Sequence, residues 1–254
     1  MPPPERRERD LFGKVPKDRA DWSHRRGEPR LFAVGWMVFL MGASGLVLAG
    51  IGAATHLSPH VAAPAARGAL VAIAIGIGVL WPMLRLSQVP PDRRRVLREV
   101  LRDLLVMVPP AVAVVLPQSL PFLANWPIEV ILSVVALLAA WSLVAGGLVA
   151  LGYATARADG TGRSGTIWML AVVALVAAGP IVLGVRAPAR DESARPVALV
   201  SPVSGVMELT RPRPASGSSA AVSGEHWRAI GWVALSGGGL LAGGVGLSRG
   251  RGSA

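Results

Sequence analysis

Apolar residues in this chain gather into long, nearly uninterrupted runs instead of alternating with polar ones at the period of a half-buried helix or strand. Residues 31–54 carry no ionisable side chain, 68–84 lie between Arg67 and Arg85, and 128–156 carry only Glu129, in their first turn. Residues 166–185 and 229–248 are also free of charge, with more Gly and Ala. An apolar run of about 18 residues or more can cross a hydrocarbon core of about 30 Å, and helices of soluble proteins rarely need one. Five spans follow directly. Residues 104–124 form a sixth run, interrupted by Pro109, Pro110, Pro117 and Pro121, each of which removes a backbone donor where lipid cannot replace it. The pattern predicts a kinked or broken span there. The alternative, an interfacial segment, leaves five spans and inverts every later crossing.

The polar stretches set the orientation, because Lys and Arg near span ends are held on the cytoplasmic side. Residues 1–30 hold nine Lys and Arg against six acids, and the second connection carries Arg85, Arg93, Arg94, Arg95, Arg98 and Arg102. The first connection, 56–67, has only Arg67. This alternation predicts an all-α integral membrane protein with six transmembrane helices, both termini cytoplasmic. The charged tail 1–30 has the composition of a disordered segment. Five spans occupy 31–185, and 226–254 form the sixth span with a short cytoplasmic end. Between them, 186–225 read as an extracytoplasmic loop rich in Pro, Ser and Arg. Within it 197–201 and 206–210 flank Pro-Val-Ser-Gly and suit a small β-hairpin. Arg186, Arg190, Arg195, Arg211 and Arg213 then fall outside; a long loop tolerates translocated charge better than a short one.

Two finer patterns concern packing. In 92–105, Val96, Leu97, Val100, Leu101, Leu104 and Leu105 share one helical face, and Arg94, Arg95, Arg98 and Arg102 fall largely opposite. Pro90 and Pro91 precede this stretch and Asp92 suits an N-cap, so it reads as an amphipathic helix in the inner interface, before the third span. Its arginines offer a docking surface to a cytoplasmic partner. Small residues recur every four positions at Gly45, Ala49 and Ala53, at Gly146, Ala150 and Ala154, and at Gly239 and Gly243. That spacing lets helix backbones approach closely in lipid.

Composition narrows the chemistry. The chain has 52% hydrophobic and 16% charged residues, against about 25% charged in soluble domains. The net charge of +11 comes from arginines that flank spans instead of forming one aromatic-interleaved surface, so no nucleic-acid partner is expected. Without cysteine, disulfides and thiolate chemistry are excluded. No acid falls within a span except Glu129, which with Asn125 as N-cap reads as helix-start electrostatics, and this disfavours ion-coupled transport. Neither a His-Glu-x-x-His nor a Gly-x-x-x-x-Gly-Lys motif is present, which argues against a zinc protease and a self-contained ATPase. His56, His60 and His226 reach one boundary in the six-span topology and are weak candidates for haem or copper, their ordinary interfacial role being favoured; no cofactor is expected. Trp36, Trp81, Trp126, Trp168 and Trp227 near span ends suit an aromatic belt. These features describe a non-enzymatic subunit or scaffold of a membrane complex, in contact with the lipid bilayer and other membrane subunits, in a bacterial inner membrane. The alternatives are a permease component of an exporter working with a separate ATPase, and a cofactor-bearing electron-transfer subunit.

Overall fold

The structure, a computed structural model, describes residues 29–52, 58–159, 163–185, 195–212 and 220–250, which are helical or irregular and contain no strand. The helices are α1 (Pro29–Gly52), α2 (Pro59–Ile75), α3 (Trp81–Leu86), α4 (Val96–Val115), α5 (Ile128–Asp159), α6 (Arg163–Val185), α7 (Pro202–Leu209) and α8 (Gly224–Gly250). Six stretches are long and apolar enough to cross a membrane: Leu31–Ala49, Pro59–Leu86, Val96–Ser119, Ile128–Ala156, Ser164–Ile181 and Gly224–Ser248. The N-terminal face is the end where α1 begins; the far face is the other.

The proline-rich third run is one of the six. Val96, Val100, Leu104, Met107, Ala111 and Val115 make one continuous buried stripe on α4, which passes through Pro109 and Pro110 without a break. The indole Nε1 of Trp36 donates to the Met107 carbonyl at 3.0 Å in the turn that the prolines deprive of donors. The expected amphipathic helix before the third span is thereby corrected. Val96, Val100 and Leu104 of its apolar face begin that stripe and pack inward while Leu101 and Leu105 stay exposed, so 96–105 are continuous with the third apolar helix and not a separate element before it.

Helix α2 reaches α3 through a π-helical turn, Gly76–Leu80, because Pro82 has no N–H to continue the ordinary ladder. The Trp81 N–H donates to Gly76 O instead. Glycine matters most at Gly76, where a Cβ would lie 2.7 Å from the Phe39 ring and 2.8 Å from that of Trp36, while one on Gly78 would be a tighter than ordinary 3.0 Å from Val176.

Helix α5 is the axis of the bundle, and α8 runs parallel to it along a glycine seam. A Cβ on Gly237 would come 2.6 Å from Val144 N, one on Gly147 2.8 Å from Leu241 N, and one on Gly244 2.9 Å from Leu151 N. Gly237 and Gly244 are seven residues apart, two turns on one face. Gly239 and Gly243 do not form the expected contact. They lie on the outward face of α8 with nothing within 4 Å of a Cβ. Gly45 and Ala49 likewise point outward, since the buried face of α1 is Trp36, Leu40, Ala43 and Val47, and Ala53 lies outside the described residues. On α5 the small residues face inward: Gly146 abuts Val100, Ala150 abuts Gly244, and Ala154 is buried.

The tryptophans depart from a belt. Trp36, Trp81 and Trp126 are buried, and Trp168 donates across to Thr155 Oγ1 at 2.8 Å, while Trp227 is partly exposed. Interhelical hydrogen bonds satisfy the indole N–H of Trp36, Trp81 and Trp168, which lipid headgroups were expected to meet.

Candidate functional site

The segment read as an aqueous loop is, over 195–212, a helical hairpin buried in the bundle. Pro196 opens a 3₁₀ helix, Pro196–Val200, and Pro202 opens α7; each proline suits the first turn of a helix and forces the residue before it out of helical geometry. Ser201 is accordingly extended, at φ −130° and ψ 143°, and forms the tip. The tip reaches deep. Trp141, which donates through Nε1 to Leu199 O at 3.1 Å, lies thirteen residues into α5, about 20 Å along the helix. Ser201 Oγ donates to Val176 O of α6 at 2.6 Å, and Pro202 packs beside Gly78 of the π turn. Gly205 fits against Leu137, and Gly179 of α6 leaves room for Ser201 and Ser204. No β-hairpin forms in 197–210, because a lone two-stranded ribbon at this depth would leave its edge donors and acceptors unmet, whereas helical turns satisfy theirs internally.

The hairpin returns to the far face in a polar cluster. Arg67 donates through Nε to Thr210 Oγ1 at 3.0 Å and through Nη2 to Thr210 O at 2.6 Å, placing a cation at the carbonyl end of α7. Arg67 is therefore a residue of α2, eight positions past its start, and not part of a connection. The Arg195 N–H donates to Glu208 Oε1 at 3.2 Å, and Arg211 Nη1 lies 3.9 Å from Glu208 Oε2. His226 is fully buried; its Nδ1 accepts the Ser223 N–H at 3.0 Å, which closes the first turn of α8 as a cap. A backbone N–H can only donate, so the imidazole hydrogen belongs on Nε2, which faces Glu208 Oε1 at 3.8 Å. A pocket of about 210 Å³ opens here, lined by Arg67, Arg195, Ser204, Met207, Glu208, Arg211 and Pro212.

A second cluster lies at the N-terminal face. Arg85 donates through Nε and Nη2 to the two oxygens of Asp103, each at 2.5 Å, and both side chains are buried. Trp81 Nε1 donates to the same carboxylate at 3.1 Å, Arg85 Nη1 donates to Gln88 Oε1 at 2.8 Å, and Tyr153 OH donates to Arg85 O at 3.1 Å. The Phe32 ring covers the guanidinium at 5.2 Å. Helices α1, α3, α4 and α5 are thus tied at one point. This pair forms the floor of a cleft of about 430 Å³ whose wall includes Asp92, Arg95, Glu99, Arg102 and Tyr153. The expectation that no acid other than Glu129 lies within a span is corrected by Glu99 and Asp103 within Val96–Ser119 and Glu225 within Gly224–Ser248, of which Asp103 sits on the buried stripe of α4. Glu129 itself is exposed in the first turn of α5, and Asn125 is not its N-cap but a turn residue at φ 52°.

The other residues singled out in the sequence are dispersed. His60 is exposed in the first turn of α2 and His226 is used as a buried cap, so these two have dissimilar surroundings; His56 lies outside the described residues. Among the described residues no three His, Cys, Asp or Glu side chains group as metal ligands. Arg94, Arg95 and Arg98 are exposed around the start of α4, and Arg102 pairs with Glu99. Ser133 and Ser142 bond their own helix, to Val130 O and Leu138 O.

By the length and composition of its helices, the chain has the architecture of an all-α, multi-pass membrane protein. No protein-family model matches it, and no curated protein or solved structure does either.

Proposed function

We propose that this protein is a non-enzymatic subunit of a membrane complex, gripped laterally by partner helices on the outward faces of α1 and α8. The observation that carries the reading is on α1. Gly35, Val38, Gly42, Gly45, Ala49 and Gly52 are all exposed, and they recur at alternating intervals of three and four, the seam of a left-handed helix pair. Each of the four glycines has nothing within 4 Å of a Cβ. On α8, Gly238, Ala242 and Gly246 add a second outward small face beside Gly239 and Gly243. Apolar surface drives no association in lipid, so close backbone approach over such faces is the available source of affinity. Leu31, Val34, Met41 and Leu46 border the α1 seam with side chains for a partner to pack around.

The test is purification in mild detergent with partner identification. Gly45→Ile enters open space and should leave the subunit's own stability within about 0.5 kcal/mol. It should reduce partner recovery about tenfold, equivalent to about 1.4 kcal/mol. Unchanged recovery, or a subunit isolated alone from gentle extracts, overturns the reading.

The same proposal places both termini in the cytoplasm, with the chain in an inner membrane of bacterial type, supported by the nine basic residues of the tail and the arginines of 93–102. A reporter inserted within 216–219 should register on the side away from the cytoplasm. A cytoplasmic signal there reverses the orientation.

A further inference from the structure

We propose that α4 holds an anionic glycerophospholipid at the N-terminal face, with Arg94 and Arg98 on its phosphate and an acyl chain along Leu101 and Leu105. The charge that attracts it is local. Residues 85–103 carry six arginines and three acids, and each acid has its own arginine: Asp103 meets Arg85, Glu99 meets Arg102, and Asp92 lies 3.7 Å from Arg95. All six of those side chains line the cleft. Arg94 and Arg98 do not. They are exposed outside it, and neither has an ion-pair partner among the described residues. Helix α8 ends against the 93–95 turn, and the sequence there adds Arg249 and Arg251 with no acid. A topological signal asks only that basic residues be present near a span end. It does not sort the paired ones to a cleft and leave the unpaired ones above an apolar face.

That apolar face makes the ligand a lipid. Leu101 and Leu105 follow Arg98 at intervals of three and four, which keeps all three on one face of α4, and Arg94 lies one turn before. Both leucines are exposed, Leu105 to 73%. Leu105 is seven residues past Arg98, about 10 Å along the helix, within the stretch Val96–Ser119 that is apolar enough to cross a membrane. Two cations followed by exposed hydrocarbon match an amphiphile with an anionic head. A free phosphate has no use for the leucines, and an acidic protein segment arriving from the aqueous side meets the arginines only. Guanidinium groups bind phosphate oxygens in a planar, two-pronged geometry, which fixes the headgroup chemistry. A zwitterionic headgroup adds an ammonium, and the three acids that could receive it are turned to the cleft and already paired. The ligand class is therefore the anionic one.

The full-length protein in mild detergent can be titrated with phosphatidylglycerol, phosphatidylcholine or glycerol 3-phosphate, with bound lipid counted by native mass spectrometry. Each arginine beside an anionic headgroup contributes about fivefold, so phosphatidylglycerol should bind about 25-fold more tightly than phosphatidylcholine. Arg94→Gln and Arg98→Gln should each lower that ratio about fivefold and together abolish it. Both side chains are exposed and unpaired, so their replacement leaves the packing alone. Asp92→Asn combined with Arg95→Gln, which alters two charges on the cleft side, should leave the ratio unchanged. Equal binding of the two lipids, a ratio that survives the double Arg94 and Arg98 replacement, or one lost equally in the Asp92 and Arg95 variant overturns the site. Displacement of phosphatidylglycerol by an equal concentration of glycerol 3-phosphate overturns its assignment to a lipid. An acidic protein that the double Arg94 and Arg98 variant releases while the lipid ratio stays as it was gives this face to a protein instead.

Discussion

Replacing Asp103 with alanine should lower the unfolding free energy of the detergent-solubilised protein by about 3 kcal/mol, the lower end of what breaking a buried ion pair costs. The loss has a definite source. Asp103 accepts three hydrogen bonds, two from Arg85 and one from Trp81, and its removal leaves a buried guanidinium with the Gln88 hydrogen bond and the Phe32 ring but no counter-charge in contact. The cleft above the pair admits water to one edge, which is why the lower end applies. The double replacement Arg85→Met with Asp103→Leu removes both charges and should recover most of the loss, because the desolvation of two ions disappears along with their attraction. Equilibrium unfolding in mixed micelles, followed by circular dichroism, measures all three proteins. If the double variant is as unstable as Asp103→Ala, the tie acts by shape and not by charge.

The spans were legible in the sequence because an apolar run's length is a local property, and only the prolines of the third obscured it. Asp103 was harder to place, being hidden among Arg98, Glu99 and Arg102 in a stretch that looks solvated. Its register nevertheless gives it away: it lies three residues after Val100 and four before Met107, on the buried stripe. The glycine pairs were ambiguous for a geometric reason. A helix as rich in glycine as α8 offers close approach on several faces, and the shape of α5 selects Gly237 and Gly244 over Gly239 and Gly243. The buried hairpin shares the Pro, Ser and Gly composition of a loop, but 196–207 contain no charge over twelve residues. An apolar stretch of that length is too short to span a bilayer and suits a buried or re-entrant piece. Arg67 could be assigned only once its partner Thr210, far away in sequence, was brought beside it.

Gly179→Val should release the hairpin from the bundle. A side chain at Gly179 would occupy the positions of Ser201 and Ser204, and the neighbours that would have to move form a tightly bonded tip: Ser201 Oγ is held by Val176 O, and Ser204 Oγ by Ala198 O. Overpacking of this kind typically costs about 1–3 kcal/mol, equivalent to roughly a five- to 150-fold rise in the open population. The absence of native cysteine makes the readout clean. A Val206→Cys probe, at a fully buried position, should resist a membrane-impermeant maleimide in the otherwise unaltered protein and react faster by that factor once Gly179→Val is added. Because the six long helices do not depend on the hairpin for their internal hydrogen bonds, helical circular dichroism should fall little. His60→Cys, at an exposed position in the first turn of α2 on the same face, sets the rate of an open thiol. A Val206→Cys protein that labels as fast as that reference, before Gly179 is touched, would show that 195–212 run through water after all.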